Sequence, residues 1–187
     1  MILVTAPHAC TAPRATAVRG YCDPQSLELA SALAVGLDEA QLLAPRAHLR
    51  RAQIDYNRAS SRGTRWRAEV DAALRSTEIR ALIDVHTFDE PSDFELDDPD
   101  VALVLLVLDT RRSAALVGAI EAAAQRVGLR SVVLRASTAN DLLLAARAQR
   151  LKAVLFELRS DLPQVAALRL GRAIKSLLNK RAQGGED

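Results

Sequence analysis

The sequence has few residues of several types, and each shortage narrows the class of protein. Only two of its 187 residues are cysteine, Cys10 and Cys22, which are too few for a disulfide framework. Aromatic residues make up 3% of the chain, which argues against a surface that stacks on nucleic-acid bases. No apolar run approaches the roughly 20 residues that a membrane-spanning helix needs. The stretch 1–5 is too short for a signal peptide and lacks a basic flank, so we expect a cytoplasmic protein with no membrane partner.

Lysine is also scarce, and the basic side chains are nearly all arginines. Because arginine is so common in this chain, a single arginine is not by itself a sign of function. The net charge is +2, and 26% of the residues are charged, which is ordinary for a globular protein. Seven arginines lie between Arg46 and Arg67. They either attract an anionic substrate or a polymer such as nucleic acid, or cover a solvated face and pair with the acidic loop 89–100. We favour the second interpretation.

Short apolar runs alternate with amphipathic stretches along the whole chain. This alternation predicts an α/β fold: one three-layer α/β/α domain over 1–182 with a frayed tail at 183–187. The central sheet is expected to be mostly parallel, with about six strands, as in phosphorylase/hydrolase-like folds. The predicted strands are 2–6, 41–44, 82–85, 101–108, 131–134 and 153–156. The predicted helices are 23–37, 65–76, 113–127, 140–149 and 161–180.

Polar side chains follow four of these segments. His8 comes just after the first strand, His86 after the central one and Glu157 after the last one, while Asp55-x-Asn57-Arg58 lies in a loop. The carboxyl ends of parallel strands meet at one edge of a sheet, where α/β proteins bind ligands. Each residue also has an ordinary explanation as a turn residue, a surface charge or, for Glu157, a partner of Arg159. Their joint occurrence favours one shared site.

The chemistry available to this set is specific. Two imidazoles, a third ligand and an open position form the pattern of catalytic zinc sites. A nearby carboxylate can take a proton from water and return it to a leaving amine. An arginine fork can hold a substrate carboxylate with two hydrogen bonds. The combination predicts metal-assisted hydrolysis of an amide in an acidic, acyl-amino-acid-like substrate.

Four motifs in this order resemble the N-formylglutamate amidohydrolase family, which is related to the zinc carboxypeptidases and aspartoacylases. The resemblance covers residues 2 to about 160, and its motifs are Thr5-Ala6-Pro7-His8, Asp55-x-Asn57-Arg58, Ile83-Asp84-Val85-His86 and Phe156-Glu157-Leu158-Arg159. It implies a Zn²⁺ ion held by His8 and His86. It also implies that Asn57 and Arg58 hold the substrate carboxylate and that Glu157 is the general base and acid.

The third metal ligand is not fixed by the sequence. The His-x-x-Glu pattern of the carboxypeptidases fails because position 11 is Thr11. Asp23 is the candidate, although an N-cap role before a helix explains it equally well. Cys10, Cys22 and water are the alternatives.

Asp55, Asp84 and Arg159 are expected to surround the site without binding the metal. Asp84 precedes His86 by two residues, so on a strand both side chains point to the same face. Two further functions stay open: a metal-free or inactive member that binds small carboxylates, and a nucleic-acid-associated protein that uses the arginines between Arg46 and Arg67.

Overall fold

The computed structural model describes residues 1–9, 23, 25–45 and 55–183, with side chains up to Lys180. In this part of the chain, six strands form one sheet in the order β2-β1-β3-β6-β4-β5. Every neighbouring pair is parallel except β4 and β6, which are antiparallel. This confirms the predicted α/β class with a mostly parallel sheet. The strands are β1 Ile2–Thr5, β2 Ala40–Leu43, β3 Ala81–Phe88, β4 Val101–Val107, β5 Arg130–Arg135 and β6 Lys152–Arg159.

Five helices cover the two faces of the sheet in the described part of the chain. One apolar core lies under α1, α3 and α5, and a second core lies under α2 and α4 on the opposite face. In the second core, the indole of Trp66 packs edge-on against Tyr56, with ring centroids 5.3 Å apart. None of these helices is both long and apolar enough to cross a lipid bilayer. The helices are α1 Ser26–Leu37, α2 Arg65–Arg75, α3 Thr110–Arg126, α4 Asp141–Ala148 and α5 Gln164–Gln183.

Two strands are longer than their apolar runs predict. β3 continues to Phe88 and β6 to Arg159, because the two strands pair in parallel register over their whole lengths. His86 and Glu157 therefore lie inside strands and are register partners, rather than following the strand ends as the sequence predicts. The tail residues 184–187 lie outside the described residues.

Helices α1 and α5 cross at two glycines. A Cβ atom at Gly171 would lie 2.4 Å from the carbonyl oxygen of Leu33 and 3.0 Å from the Cα atom of Gly36. These neighbours are backbone atoms, which cannot rotate away. The two helices can approach this closely because Gly36 and Gly171 have no Cβ atom.

The crossing predicts a cost for one added methyl group. Gly171→Ala gains about 1 kcal/mol in helix propensity, but overpacking against rigid backbone costs about 3 kcal/mol. We expect a net destabilisation of about 2 kcal/mol, which lowers Tm by about 4–8 °C in a chain of this size. Thermal unfolding measures this change, and Arg172→Ala, at the next and exposed position, is the control. An unchanged Tm in Gly171→Ala would contradict the close crossing.

Candidate metal centre

The first histidine is fixed by a turn directly after β1. The backbone N–H of Ala9 donates to the carbonyl of Ala6 (3.1 Å), which turns the chain at His8. An isolated parallel bridge then joins Ala9 to Asp23, and the N–H of Asp23 donates to the carbonyl of His8 (2.9 Å). The bridge places the Asp23 carboxylate beside the His8 ring.

Asp23 is not the N-cap of α1. The N-cap position is Gln25, which makes no side-chain capping hydrogen bond. The Asp23 carboxylate instead lies 3.5 Å from Nδ1 of His8 and 3.3 Å from Nδ1 of His86. Of its two predicted roles, the structure favours the one in the histidine site, because the side chain points away from the helix and towards both rings.

His8, Asp23 and His86 form a compact triangle of potential ligand atoms, all within 4.8 Å of one another. The two Nδ1 atoms of the histidines are 3.1 Å apart, and Asp23 Oδ2 completes the triangle at 3.3 and 3.5 Å. A tetrahedral zinc ion with bonds of about 2.0–2.1 Å holds its ligand atoms about 3.3 Å apart. The spacing of the three atoms therefore suits such an ion.

The outer nitrogens of both rings face carboxylates. Nε2 of His8 lies 2.9 Å from Asp55 Oδ1, and Nε2 of His86 lies 3.3 Å from Asp84 Oδ2. The contact with Asp55 favours a proton on Nε2 of His8, whereas Nε2 of His86 faces both Asp84 Oδ2 and, at 2.9 Å, the donor Nδ2 of Asn57. The two Nδ1 atoms lie 3.1 Å apart, so either one ring donates a hydrogen bond to the other or both direct lone pairs at a shared cation. The donor set therefore fits a metal ion, with each ring oriented by a carboxylate.

Asp84 joins the site to the centre of the sheet. It is completely buried on β3 and is the register partner of Thr5 on β1. Its Oδ1 accepts a hydrogen bond from the Thr5 hydroxyl (2.6 Å), and its Oδ2 faces His86. Thr5 was not singled out from the sequence, because a threonine at a strand end has no distinctive signal.

The carboxylates dominate the electrostatics of the site. Burial opposes the charged form of His86, but Asp84 and Asp23 outweigh it and raise its pKa well above the usual value. For His8, burial and the nearby His86 also oppose protonation, yet Asp23 and Asp55 raise its pKa. Burial opposes ionisation of Asp23 as well, and both histidines nevertheless hold its pKa below its usual range. A site with this balance favours positive charge at its centre.

Glu157 lies beside His86 on the neighbouring strand, as its register partner. Its side chain is partly buried, and the loss of hydration raises its pKa to about 7. A carboxyl group with such a pKa can both accept and donate a proton near neutral pH. Arg159 does not pair with it: Arg159 Nε lies 2.7 Å from Asp161 Oδ1, and its Nη1 donates to the carbonyl of Pro99 (3.2 Å). The alternative explanation of Glu157 as a partner of Arg159 is therefore not the one that these contacts support.

Asn57 and Arg58 differ sharply in exposure. Asn57 is 3% exposed, and its side-chain amide lies 2.9 Å from Nε2 of His86. The Arg58 side chain is 48% exposed, with its Nε 3.5 Å from Asp55 Oδ2 and its Nη1 donating to the carbonyl of Ala139 (3.4 Å). Arg58 thus presents a guanidinium to solvent near the site, whereas Asn57 supports the His86 ring from within.

The described arginines between Arg46 and Arg67 do not pair with the acidic loop. Arg62 and Arg67 bind Asp141, Arg67 also binds Asp71, and Arg65 binds Glu69. In the acidic loop, Asp98 pairs with Arg130 on β5 (2.6 Å). The described arginines of this segment therefore pair with Asp55, Glu69, Asp71 and Asp141 rather than with the acidic loop. Cys10, Cys22, Pro24, Arg46, Arg50 and Arg51 lie outside the described residues.

The fold is shared with solved structures of low sequence identity. The CwlD amidase from Clostridioides difficile, solved in complex with the GerS lipoprotein, has a TM-score of 0.58 at 13% identity, covering 97% of this chain and 98% of its own. A bacteriophage poly-gamma-glutamate hydrolase has a TM-score of 0.55 at 11% identity, covering 97% and 84%. A metallo-carboxypeptidase from Burkholderia cenocepacia has a TM-score of 0.61 at 11% identity, covering 97% of this chain but 57% of its own.

No protein-family model matches the sequence, and no curated protein matches it. At identities of 11–16%, the structural likeness concerns the arrangement of strands and helices. The chain therefore has the α/β fold found in these amidase and carboxypeptidase structures.

Proposed function

We propose that this protein is a zinc-dependent amidohydrolase, similar to the N-formylglutamate amidohydrolases. The observation that carries the proposal is the triangle of His8, Asp23 and His86, whose three potential ligand atoms have the spacing of a tetrahedral zinc site. The names of the structural neighbours agree with amide-bond cleavage, since they include an amidase, a carboxypeptidase and a poly-gamma-glutamate hydrolase.

In this proposal, His8, Asp23 and His86 hold the Zn²⁺ ion. When bound, the ion polarises the substrate carbonyl and makes water more acidic. Asp55 and Asp84 hold the two rings by their Nε2 atoms and keep Nδ1 of each directed at the triangle. Removing either carboxylate would take away one of the contacts that orient the ring.

Glu157 is the proposed proton carrier. As the register partner of His86 it stands next to the triangle, and it is not engaged by Arg159. It takes a proton from the attacking water and transfers it to the nitrogen of the leaving amine as the C–N bond breaks. The positive charge of a bound ion would favour the ionised form of Glu157, which is the form that accepts the first proton.

The proposed substrate is an N-acyl, N-formyl-like or γ-glutamyl-type amide of an acidic amino acid. Arg58 is the group expected to bind its carboxylate, because its guanidinium is half exposed and close to Asp55. Asn57, for which the resemblance implies the same task, is better placed to fix the His86 ring.

Metal analysis combined with an activity screen tests the proposal. Purified protein should contain close to one zinc ion per chain. It should hydrolyse at least one class among formyl-, acetyl- and γ-glutamyl-amino acids, and a chelator should remove both metal and activity. Protein that binds no divalent metal, yet binds small carboxylates, would instead be a metal-free binding protein.

Replacing Arg58 by lysine tests carboxylate recognition. Lysine keeps the positive charge but loses the planar fork, so KM should rise by about tenfold while kcat changes little. Steady-state kinetics on an acidic substrate and on its amide analogue measure the effect. Equal turnover of the two substrates by the parent enzyme would show that Arg58 does not have this role.

A further inference from the structure

The loop that carries Asp55, Asn57 and Arg58 has no strand to hold it. Residues 55–61 form a turn and a single 3₁₀ turn, Ala59–Ser61. Inside the loop, the N–H of Arg58 donates to the carbonyl of Asp55 (3.1 Å), and the N–H of Asn57 donates to Asp55 Oδ1 (2.9 Å). These bonds give the loop its shape, but they do not fix it against the sheet that carries His86.

Two contacts anchor the loop: Tyr56 packs against Trp66 in the second core, and Asn57 contacts α4. The backbone N–H of Asp141, the first residue of α4, donates to the carbonyl of Asn57 (3.0 Å). The Asn57 side chain in turn lies 2.9 Å from Nε2 of His86. A displacement of Asp141 would therefore pass through one residue to the ring of a proposed metal ligand.

The Asp141 carboxylate is itself held from two sides. Its side chain is 4% exposed and contacts Arg67, which is equally buried, and Arg62, whose Nε donates to Asp141 Oδ2 (3.0 Å). Arg62 directly follows the loop, so the same carboxylate ties down the loop's far end. Arg67 is further held by Asp71 through Nε (2.9 Å). The two arginines hold the pKa of Asp141 below its usual value despite the opposing effect of burial.

We propose that Asp141 is a positioning residue for the metal centre: clamped between Arg62 and Arg67, it fixes the loop that presents Asp55 and Asn57 to the two histidines. This inference rests on the proposed function. A gain in folding stability does not explain the contacts of Asp141 with the two arginines well, because a buried ion pair is often no more stabilising than apolar residues of the same volume. Geometric fixation of the loop accounts for both the bidentate contact with Arg62 and the backbone bond to Asn57.

Zinc affinity tests this role without using activity. Asp141→Asn keeps the size of the side chain and the backbone N–H but removes the charge that holds the two arginines. We expect its zinc Kd to be about tenfold weaker than that of the parent, in the range found when groups behind a metal ligand are changed. Competition with a chromophoric chelator measures Kd, and circular dichroism establishes that the variant is folded.

Asp71→Asn is the matched control, since it removes the other carboxylate that binds Arg67. Asp71 lies on α2 and contacts Arg67, but among the described residues it has no hydrogen bond to Asn57. Its variant should lose stability and keep the parental zinc Kd. Equal Kd values in Asp141→Asn and Asp71→Asn would overturn the inference, whereas a parent protein without zinc binding would overturn the proposed function first.

A second variant covers the case in which Asp141→Asn does not fold. Arg62→Met removes only the arginine whose side chain is 63% exposed and leaves Arg67 on Asp141. Weaker zinc binding than the parent, with an unchanged circular dichroism spectrum, supports the positioning role. An unchanged zinc Kd in Arg62→Met would count against it in the same way.

Discussion

Glu157→Gln is expected to lower kcat by about two to four orders of magnitude, the usual contribution of a general acid–base group. Glutamine has nearly the same shape but can neither accept the proton of the attacking water nor return it to the amine. Because Glu157 is not a member of the ligand triangle, the variant should keep its zinc. Steady-state kinetics together with metal analysis separate these two properties.

Arg159→Ala is the control for this experiment. Arg159 follows Glu157 by two residues on β6 but pairs with Asp161. Its loss should leave kcat near that of the parent and lower stability by at most about 1 kcal/mol. A fully metallated Glu157→Gln variant with parental kcat would reject the role of Glu157 as proton carrier.

His86→Ala is expected to lose nearly all bound zinc and, with it, measurable turnover. The substitution removes one corner of the triangle and leaves the completely buried Asp84 without its imidazole partner. A zinc site that depends on three protein ligands does not keep its affinity for the ion when only two remain. Metal content after dialysis measures the loss, and a thermal melt shows how much of it reflects unfolding.

His48→Ala serves as the comparison, because His48 is the remaining histidine of the three in the chain. It should keep the parental zinc content. If His86→Ala and His48→Ala bind zinc equally well, the assignment of His86 as a ligand is wrong and the facing Nδ1 atoms need another explanation.

Much of the fold follows from local patterns in the sequence. Apolar runs predicted the six strands to within a few residues, and the run is clearest in β3, β4 and β6, which are buried on both faces. The antiparallel pairing of β4 with β6 could not be predicted, because the sequence of Val101–Val107 is equally apolar in either direction. The lengths of β3 and β6 were underestimated because polar residues such as His86 and Glu157 interrupt the apolar pattern but not the pairing.

Only part of the candidate site could be predicted from the sequence. The sequence selected His8, Asp23 and His86 as possible ligands, and the structure brings these three together. Nothing in the sequence marks Asp141, because it looks like an ordinary acidic residue in the first turn of a helix. Arg62 and Arg67 were likewise indistinguishable from many other arginines, because pairing across 74 or more residues leaves no local pattern.

The strand order also constrains how the site comes into being during folding. His86 and Glu157 become neighbours only when β3 pairs with β6, and the register joins Ala81 to Lys152, which are 71 positions apart in the sequence. Closing so long a loop carries a large entropic cost before any contact offsets it. His8 and Asp23 are close in sequence, but His86 and Glu157 are not, so no short fragment of the chain contains the whole site. Its chemistry is therefore tied to completion of the sheet, and a nascent chain that ends before β6 has neither the central strand pair nor the carboxyl group beside His86.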